Sequence, residues 1–362
     1  MQFIDLQKQY QAYKNDIDKQ IHSVLDSSHY VLGEKVSELE ATLAQYVGTK
    51  YALGVSSGTD ALLMALMAKD VRPGDEIITT PFTFFATAEV ISFLGATPVF
   101  VDIKEDTYNI DPARIEAKIT SKTKGIIAVD IFGQMADYDA INAIAEKHGI
   151  FVIEDAAQSF GAKYKEKRSC SIAEIACTSF FPAKPLGGYG DGGMIFLNDD
   201  KILEKLRSIR VHGQGEDKYN NVRIGINGRL DAIQAAILIG KMPYFNGEME
   251  KRQKVAEFYN KNLKDILVTP KVLERNISAY AQYCVRSNQR EKHLLALKKN
   301  SIPYAIYYPK PLHLMTAFES LNYMQGDFPI TEKIAGEIFA LPMHPFLEEK
   351  DQKTIVDILT DK

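Results

Sequence analysis

The chain has 362 residues, 46% hydrophobic and 25% charged, with a formal net charge of −4. These proportions describe a soluble globular protein with ample core, and they offer no global attraction to nucleic acid or to an anionic membrane. No apolar run approaches the ~20 residues that span a bilayer, and MQFIDLQKQYQAYKNDIDKQ lacks the apolar stretch and cleavage site of a signal peptide.

In chain order, short β-rich runs alternate with helical patterns. Residues 51–55, 76–80, 97–103, 125–132 and 151–155 read as buried strands. Between them, residues 60–69, 86–94, 112–119 and 137–148 carry the apolar period of helices. Strand–helix–strand alternation with near-continuous Val/Ile runs predicts a mostly parallel α/β sheet covered on both faces. Ligands of such sheets sit beyond the carboxyl ends of the strands, here after Val55, Thr80 and Glu154. Near Lys241 the pattern changes. A charged amphipathic helix (248–266), a strand (278–287), a helix (291–302) and a last helix from Glu348 predict a smaller α/β domain. The predicted division is 1–245, a large domain with an N-terminal helix, and 246–362, a small C-terminal domain. Cys170, Cys177 and Cys284 are odd in number and lack metal-ligand spacing, which points to free thiols and a cytoplasmic location.

Three stretches could carry chemistry. VSSGTDAL (55–62) places a strand end, a small-residue loop and a helix start in succession, either an anion site for a phosphate or an ordinary N-cap. VIEDAAQSFGA (152–162) delivers Asp155 to the sheet's carboxyl edge. Neighbours on a strand point to opposite faces, so Asp155 and not Glu154 is the candidate for the site, the alternative being a turn cap. SFFPAKPLGGYGDGG (179–193) holds Lys184 between two prolines, with a glycine cluster behind. A lysine becomes a Schiff-base amine when partial desolvation lowers its pKa, whereas a lone lysine is more often an ordinary surface residue. The glycines precede a strand-like run, so they predict a close-packed turn rather than a dinucleotide fingerprint. Phosphate cradle, strand-end aspartate and lysine about thirty residues later together match the needs of pyridoxal phosphate.

GTDAL, EDAAQSFGA, TSFFPAKPLGGYGDGG, HGQ and INGRLDAIQAAIL resemble the DegT–DnrJ–StrS group of nucleotide-sugar aminotransferases, and the likeness runs from FIDL to LPMHP. It implies the pyridoxal-phosphate transferase fold of type I, with a mostly parallel seven-stranded sheet in the large domain. It implies Lys184 as the lysine that holds the cofactor and shuttles a proton, and Asp155 as the partner of the pyridine nitrogen. Gln158 falls near the cofactor's 3-hydroxyl, and Gly58, Thr59 and Ser179 match phosphate-binding positions. Phe84 matches an aromatic that stacks on the ring, the alternative being core packing. Asn227 and Arg229 match residues that a second subunit contributes, so the resemblance implies a homodimer with a shared site. Tyr308 and His313 fall in a segment that approaches the sugar. A uronate carboxylate would call for a cation, Arg229 or Lys310. The implied reaction moves an amino group from L-glutamate, leaving 2-oxoglutarate, to a nucleotide-linked keto-sugar of surface polysaccharide or O-antigen synthesis. The sugar implied is a UDP-linked 2-acetamido-2-deoxy-3-oxo-glucuronate; a dTDP-linked 3-keto-6-deoxyhexose or a 4-keto nucleotide sugar is the alternative. Where relatives often carry histidine the chain has Asp130, to which the resemblance gives no role.

Overall fold

The Val/Ile-rich runs become strands because β-branched side chains suit a pleated surface packed on both faces. The computed structural model describes residues 1–217 and 219–360. Two helices, α1 (Leu6–Ser27) and α2 (Glu34–Val47), precede strand β1 (Tyr51–Val55). The alternating part follows as α3 (Gly58–Ala68), β2 (Glu76–Thr79), α4 (Ala86–Phe93), β3 (Thr97–Phe100), β4 (Thr123–Val129), α5 (Tyr138–His148) and β5 (Phe151–Asp155). A short hairpin, β6 (Lys163–Tyr164) and β7 (Lys167–Arg168), leads to β8 (Ile175–Ser179), β9 (Gly193–Leu197), α6 (Asp200–Ile209) and α7 (Ala232–Lys241). The chain ends with α8 (Phe245–Leu263), β10 (Tyr283–Arg286), α9 (Arg290–Lys299), α10 (Pro329–Glu337), β11 (Ile338–Leu341) and α11 (Glu349–Leu359).

Seven strands form one sheet in the order β1-β9-β8-β5-β4-β2-β3. The β5–β8, β4–β5, β2–β4 and β2–β3 pairs are parallel, while β9 runs antiparallel to both its neighbours. Alternation along each strand divides the core: Ile126, Ala128, Val152 and Ala176 face one apolar cluster, and Ile127, Ile153, Ile175 and Cys177 face the other. A further core joins Tyr259, Tyr283, Val285, Leu297, Phe339 and Ile355 across α8, β10, α9, β11 and α11. Helix α8 begins at Phe245. All three cysteines are buried and form no disulfide.

The structure corrects three predicted strands and one helix. Strand β3 stops at Phe100, β4 stops at Val129, and the strand predicted over 278–287 is only β10, Tyr283–Arg286. Residues 112–119 form two 3₁₀ turns, Pro112–Arg114 and Glu116–Lys118, in place of an α-helix. Pro112 and Ile115 are buried there while Arg114, Glu116, Ala117 and Lys118 are exposed, too short an apolar stripe to hold a helix against the sheet.

Candidate active site

Helix α3 begins at Gly58, directly after β1. Its N-cap Ser57 takes an extended conformation and accepts the Asp60 N–H at 2.9 Å. A Cβ on Gly58 would lie 2.7 Å from the Ser179 Cβ, and one on Gly193 would lie 2.4 Å from the Ser57 carbonyl oxygen. Glycines thus let the start of α3 pack directly against β8 and β9, which sets its first N–H groups at the edge of the sheet, an arrangement suited to a phosphate. Thr59 and Ser179 are both half-buried there.

Asp155 ends β5 and is buried, and Glu154 points to the opposite side of the sheet, where Ser169 and Cys170 hold it. The Asp155 carboxylate accepts from the Thr87 hydroxyl at 2.8 Å and from the Ala157 N–H at 3.2 Å. Burial pushes its pKa up, against the pull of Thr87, Ala157 and the Lys184 charge. Burial also lowers the pKa of the half-buried Lys184, and Asp155 opposes that shift. The two side chains therefore belong to one electrostatic unit.

The turn carrying Lys184 is held from three sides. Its own N–H donates to the Phe181 carbonyl at 2.9 Å, and the Gly188 N–H donates to Phe180 at 2.7 Å. A Cβ on Gly187 would stand 2.3 Å from the Pro182 oxygen, so only glycine lets the chain fold back there. Two side chains of α7 complete the clamp: Lys241 donates to the Gly187 carbonyl at 2.7 Å, and Gln234 accepts the Tyr189 N–H at 2.8 Å. The predicted close-packed turn is present, and α7 supplies its support.

Gln158 is buried beside Asp155. Its carbonyl accepts the Phe132 N–H at 2.7 Å, and its amide donates to the Tyr308 hydroxyl at 3.3 Å. Phe132 sits at φ 57°, a costly left-handed conformation for an aromatic residue, and the Gln158 bond helps to hold it. Tyr308 is half-buried with its ring edge-on to Phe82 at 6.2 Å, and burial raises its pKa. Phe84 is 57% exposed, which excludes its alternative reading as core, whereas Phe82 is fully buried.

The remaining predicted residues lie farther out. Arg229 is half-buried and its backbone bridges Val55; Asn227 is exposed and bridges Val211. Lys310 is exposed on the segment that docks on the large sheet through the Leu312 N–H and the Pro81 carbonyl, 2.9 Å apart. His313 corrects the expectation of a sugar contact. Its ring is wholly buried, 3.1 Å from Glu332 and packed on Phe328 at 4.6 Å, and it supports the segment from beneath.

Sequence reasoning missed Thr87, whose hydroxyl also contacts Thr83 at 3.0 Å in a relay leading to Asp155. Its position as the second residue of α4 gave no signal of that contact. Replacement by valine keeps the shape and removes the bond that favours the ionised carboxylate. Asp155 then takes up a proton at higher pH, so Thr87→Val is expected to move the acid limb of the kcat/KM profile upward, by about one pH unit for a bond worth ~1 kcal/mol. An unmoved limb would show that Thr87 does not tune Asp155.

Comparison with known proteins gives a consistent picture. The model of the DegT/DnrJ/EryC1/StrS aminotransferase family matches residues 11–360. The UDP-2-acetamido-2-deoxy-3-oxo-D-glucuronate aminotransferase of Pseudomonas aeruginosa is 50% identical over 362 residues, 100% of each chain. A DegT DnrJ EryC1 StrS aminotransferase from Brucella abortus superposes with a TM-score of 0.97 at 44% identity, covering 100% of this chain and 99% of that one. The PLP-form of a sugar aminotransferase from Streptococcus pneumoniae, Spr1654, superposes at 0.91 with 25% identity, over 96% and 95% of the two chains.

Proposed function

Since the chain belongs to the DegT/DnrJ/EryC1/StrS aminotransferase family, we propose that it transfers the amino group of L-glutamate to a UDP-linked 2-acetamido-2-deoxy-3-oxo-glucuronate. It is a pyridoxal-phosphate aminotransferase acting on a nucleotide-linked 3-keto-sugar. The observation that carries the substrate is the 50% identity, end to end, with an enzyme named for that uronate. The helix start at Gly58, the buried Asp155 and the half-buried Lys184 fit the cofactor's phosphate, ring nitrogen and aldehyde in turn.

Bound pyridoxal phosphate supplies an aldehyde that takes up an amine and a ring that stores the electron pair left when a C–H proton departs. The protein's residues then have distinct tasks. Gly58, Thr59 and Ser179 would hold the phosphate at the α3 N-terminus, where the helix dipole favours negative charge. Asp155 would keep a proton on the ring nitrogen, which makes the ring a better electron store. Gln158 would hold the 3-hydroxyl, and Phe84 would stack on the ring. Lys184, its pKa lowered by burial, takes a proton from the donor's α-carbon at Nζ and returns one to the acceptor carbon. Arg229 gives the uronate a bidentate cation, with Lys310 the point-charge alternative, and Tyr308 lines the sugar's approach.

The quaternary reading is a homodimer. Val31, Val222 and Ile224 are 55%, 54% and 85% exposed on the segments around Asn227 and Arg229, an apolar surface that a second copy would cover. Each subunit's Asn227 and Arg229 then complete the neighbouring site. The product is an amino sugar for surface polysaccharide, made in the cytoplasm; no helix among the described residues is long and apolar enough to cross a membrane.

The test is a kinetic comparison of the UDP-linked 3-keto-uronate with a dTDP-linked 3-keto-6-deoxyhexose, glutamate as donor. Parallel lines in double-reciprocal plots and a higher kcat/KM for the UDP-uronate are expected. A preference for the dTDP-sugar would overturn the substrate, and intersecting lines would overturn the two-stage scheme.

A further inference from the structure

Behind Asp155, on the face of the sheet away from Lys184, lies a buried acidic cluster that none of these tasks uses. Asp130 follows β4, and Glu154 is the penultimate residue of β5; both are 0% exposed. Four oxygens connect them in a row. Asp130 Oδ2 and Ser159 Oγ are 2.7 Å apart, Ser159 Oγ and Ser169 Oγ are 2.7 Å apart, and Ser169 Oγ and Glu154 Oε1 are 2.8 Å apart.

Protons can be counted along this row. Three hydrogen bonds need three protons, and the two serine hydroxyls supply two. With both carboxylates ionised, each serine donates outward and the central contact brings two lone pairs together. One further proton on a carboxyl completes the row. The remaining oxygens agree. Asp130 Oδ1 is already an acceptor, from the Tyr138 hydroxyl and the Ala136 N–H, each at 2.9 Å. Glu154 Oε1 also accepts the Cys170 N–H at 2.7 Å, while Glu154 Oε2 is buried with no hydrogen-bond partner. A buried carboxylate oxygen without a donor is costly when charged and tolerable when the group shares a proton.

We infer that Asp130 and Glu154 share one resident proton, so that the pair carries a single negative charge and positions Asp155 beside it as the ionised carboxylate. The link to Asp155 is direct: the Asp130 N–H donates to the Asp155 carbonyl at 3.1 Å, and Glu154 adjoins it in β5. Two ionised groups behind Asp155 would bring three carboxylate charges to the ends of β4 and β5. The titratable groups around the pair are Tyr138 and Cys170 on its own face of the sheet and Asp155 and Cys177 on the other. Burial is the largest influence on both acids and raises the pKa of each; the Glu154 charge also raises that of Asp130, while the hydrogen bonds to Glu154 from Cys170, Asp130 and Ser169 oppose its shift. The role assigned to Asp155 rests on the proposed function; the shared proton does not.

Infrared difference spectroscopy on the cofactor-free protein reads the proton without any turnover. At pH 8 the wild type is expected to show the C=O stretch of a protonated carboxyl, absent from Asp130→Asn. In that variant an amide N–H takes the place of the shared proton toward Ser159 while the amide oxygen still accepts from Tyr138 and Ala136, so the row stays filled and the volume is kept. A band missing from the wild type, or kept in Asp130→Asn, overturns the inference. Urea unfolding from about pH 5 to 8 gives a second reading. The native pair keeps a proton that the unfolded chain releases, so stability falls as pH rises. Relative to Asp130→Asn, the wild-type folding constant is expected to fall by up to tenfold per pH unit. Parallel profiles overturn the inference as well. Failure of the aminotransferase assay leaves both readouts unaffected, so the two proposals are tested separately.

Discussion

Replacing Lys184 with alanine is expected to lower turnover by about 10³-fold or more and to abolish the visible absorbance of cofactor bound through its aldehyde. The size of the effect follows from two uses of one atom. In the proposed function Nζ is both the amine that holds the cofactor and the base that moves the proton between carbons. Burial, which lowers its pKa, serves both, because a neutral amine attacks carbonyls and accepts protons. The backbone clamp from Gly187, Gln234 and Lys241 does not involve the Lys184 side chain, so the turn should keep its shape in the variant. Loss of a half-buried stem is expected to change Tm by only a few degrees. Retained absorbance and turnover would remove Lys184 from the mechanism.

Asp155→Asn carries the second largest effect, a fall in kcat of about 10²–10⁴-fold. Asparagine fits the same volume, and its one oxygen can accept from Ala157 while its amide N–H turns to the Thr87 hydroxyl, but it cannot balance a positive charge on the ring nitrogen. The expected signature is a slow enzyme that still folds and binds cofactor, distinct from the unlinked cofactor of Lys184→Ala. Its stability should move the other way from its activity. Burial raises the Asp155 pKa in the native state, so the native state's hold on this charge weakens stability as pH rises from the unfolded carboxylate range. In cofactor-free protein the neutral amide avoids that cost, and Asp155→Asn should be at least as stable as the wild type at pH 7. A variant with full kcat, or one much less stable, would contradict this role for Asp155.

Much of this site is legible in the sequence because its elements are local. A strand that ends in Asp155, a helix that starts at Gly58, and a lysine between prolines each announce themselves within a few residues. Opposite-face alternation along β5 was enough to separate Glu154 from Asp155, and the structure gives them separate surroundings. The order of the seven strands is not local, and it is what brings Gly58 against Ser179. Thr87, Gln234 and Lys241 act through contacts set by where α4 and α7 pack, which no nearby motif records. Lys241 would read as one lysine among many, yet it is buried on the Tyr189 ring with its pKa lowered to about 8. His313 shows the opposite failure, since a histidine in a site-proximal segment reads as a ligand contact until its burial against Phe328 is seen. The proton shared by Asp130 and Glu154 is legible only from distances between oxygens on three separate stretches of chain.

The presence of a second buried, pKa-lowered amine makes one experiment especially direct. Borohydride reduction of the pyridoxal-phosphate-loaded protein, followed by proteolysis and mass spectrometry, fixes the cofactor to whichever lysine holds it. The predicted adduct lies on Lys184 alone; an adduct on Lys241, or none on Lys184, would contradict the site.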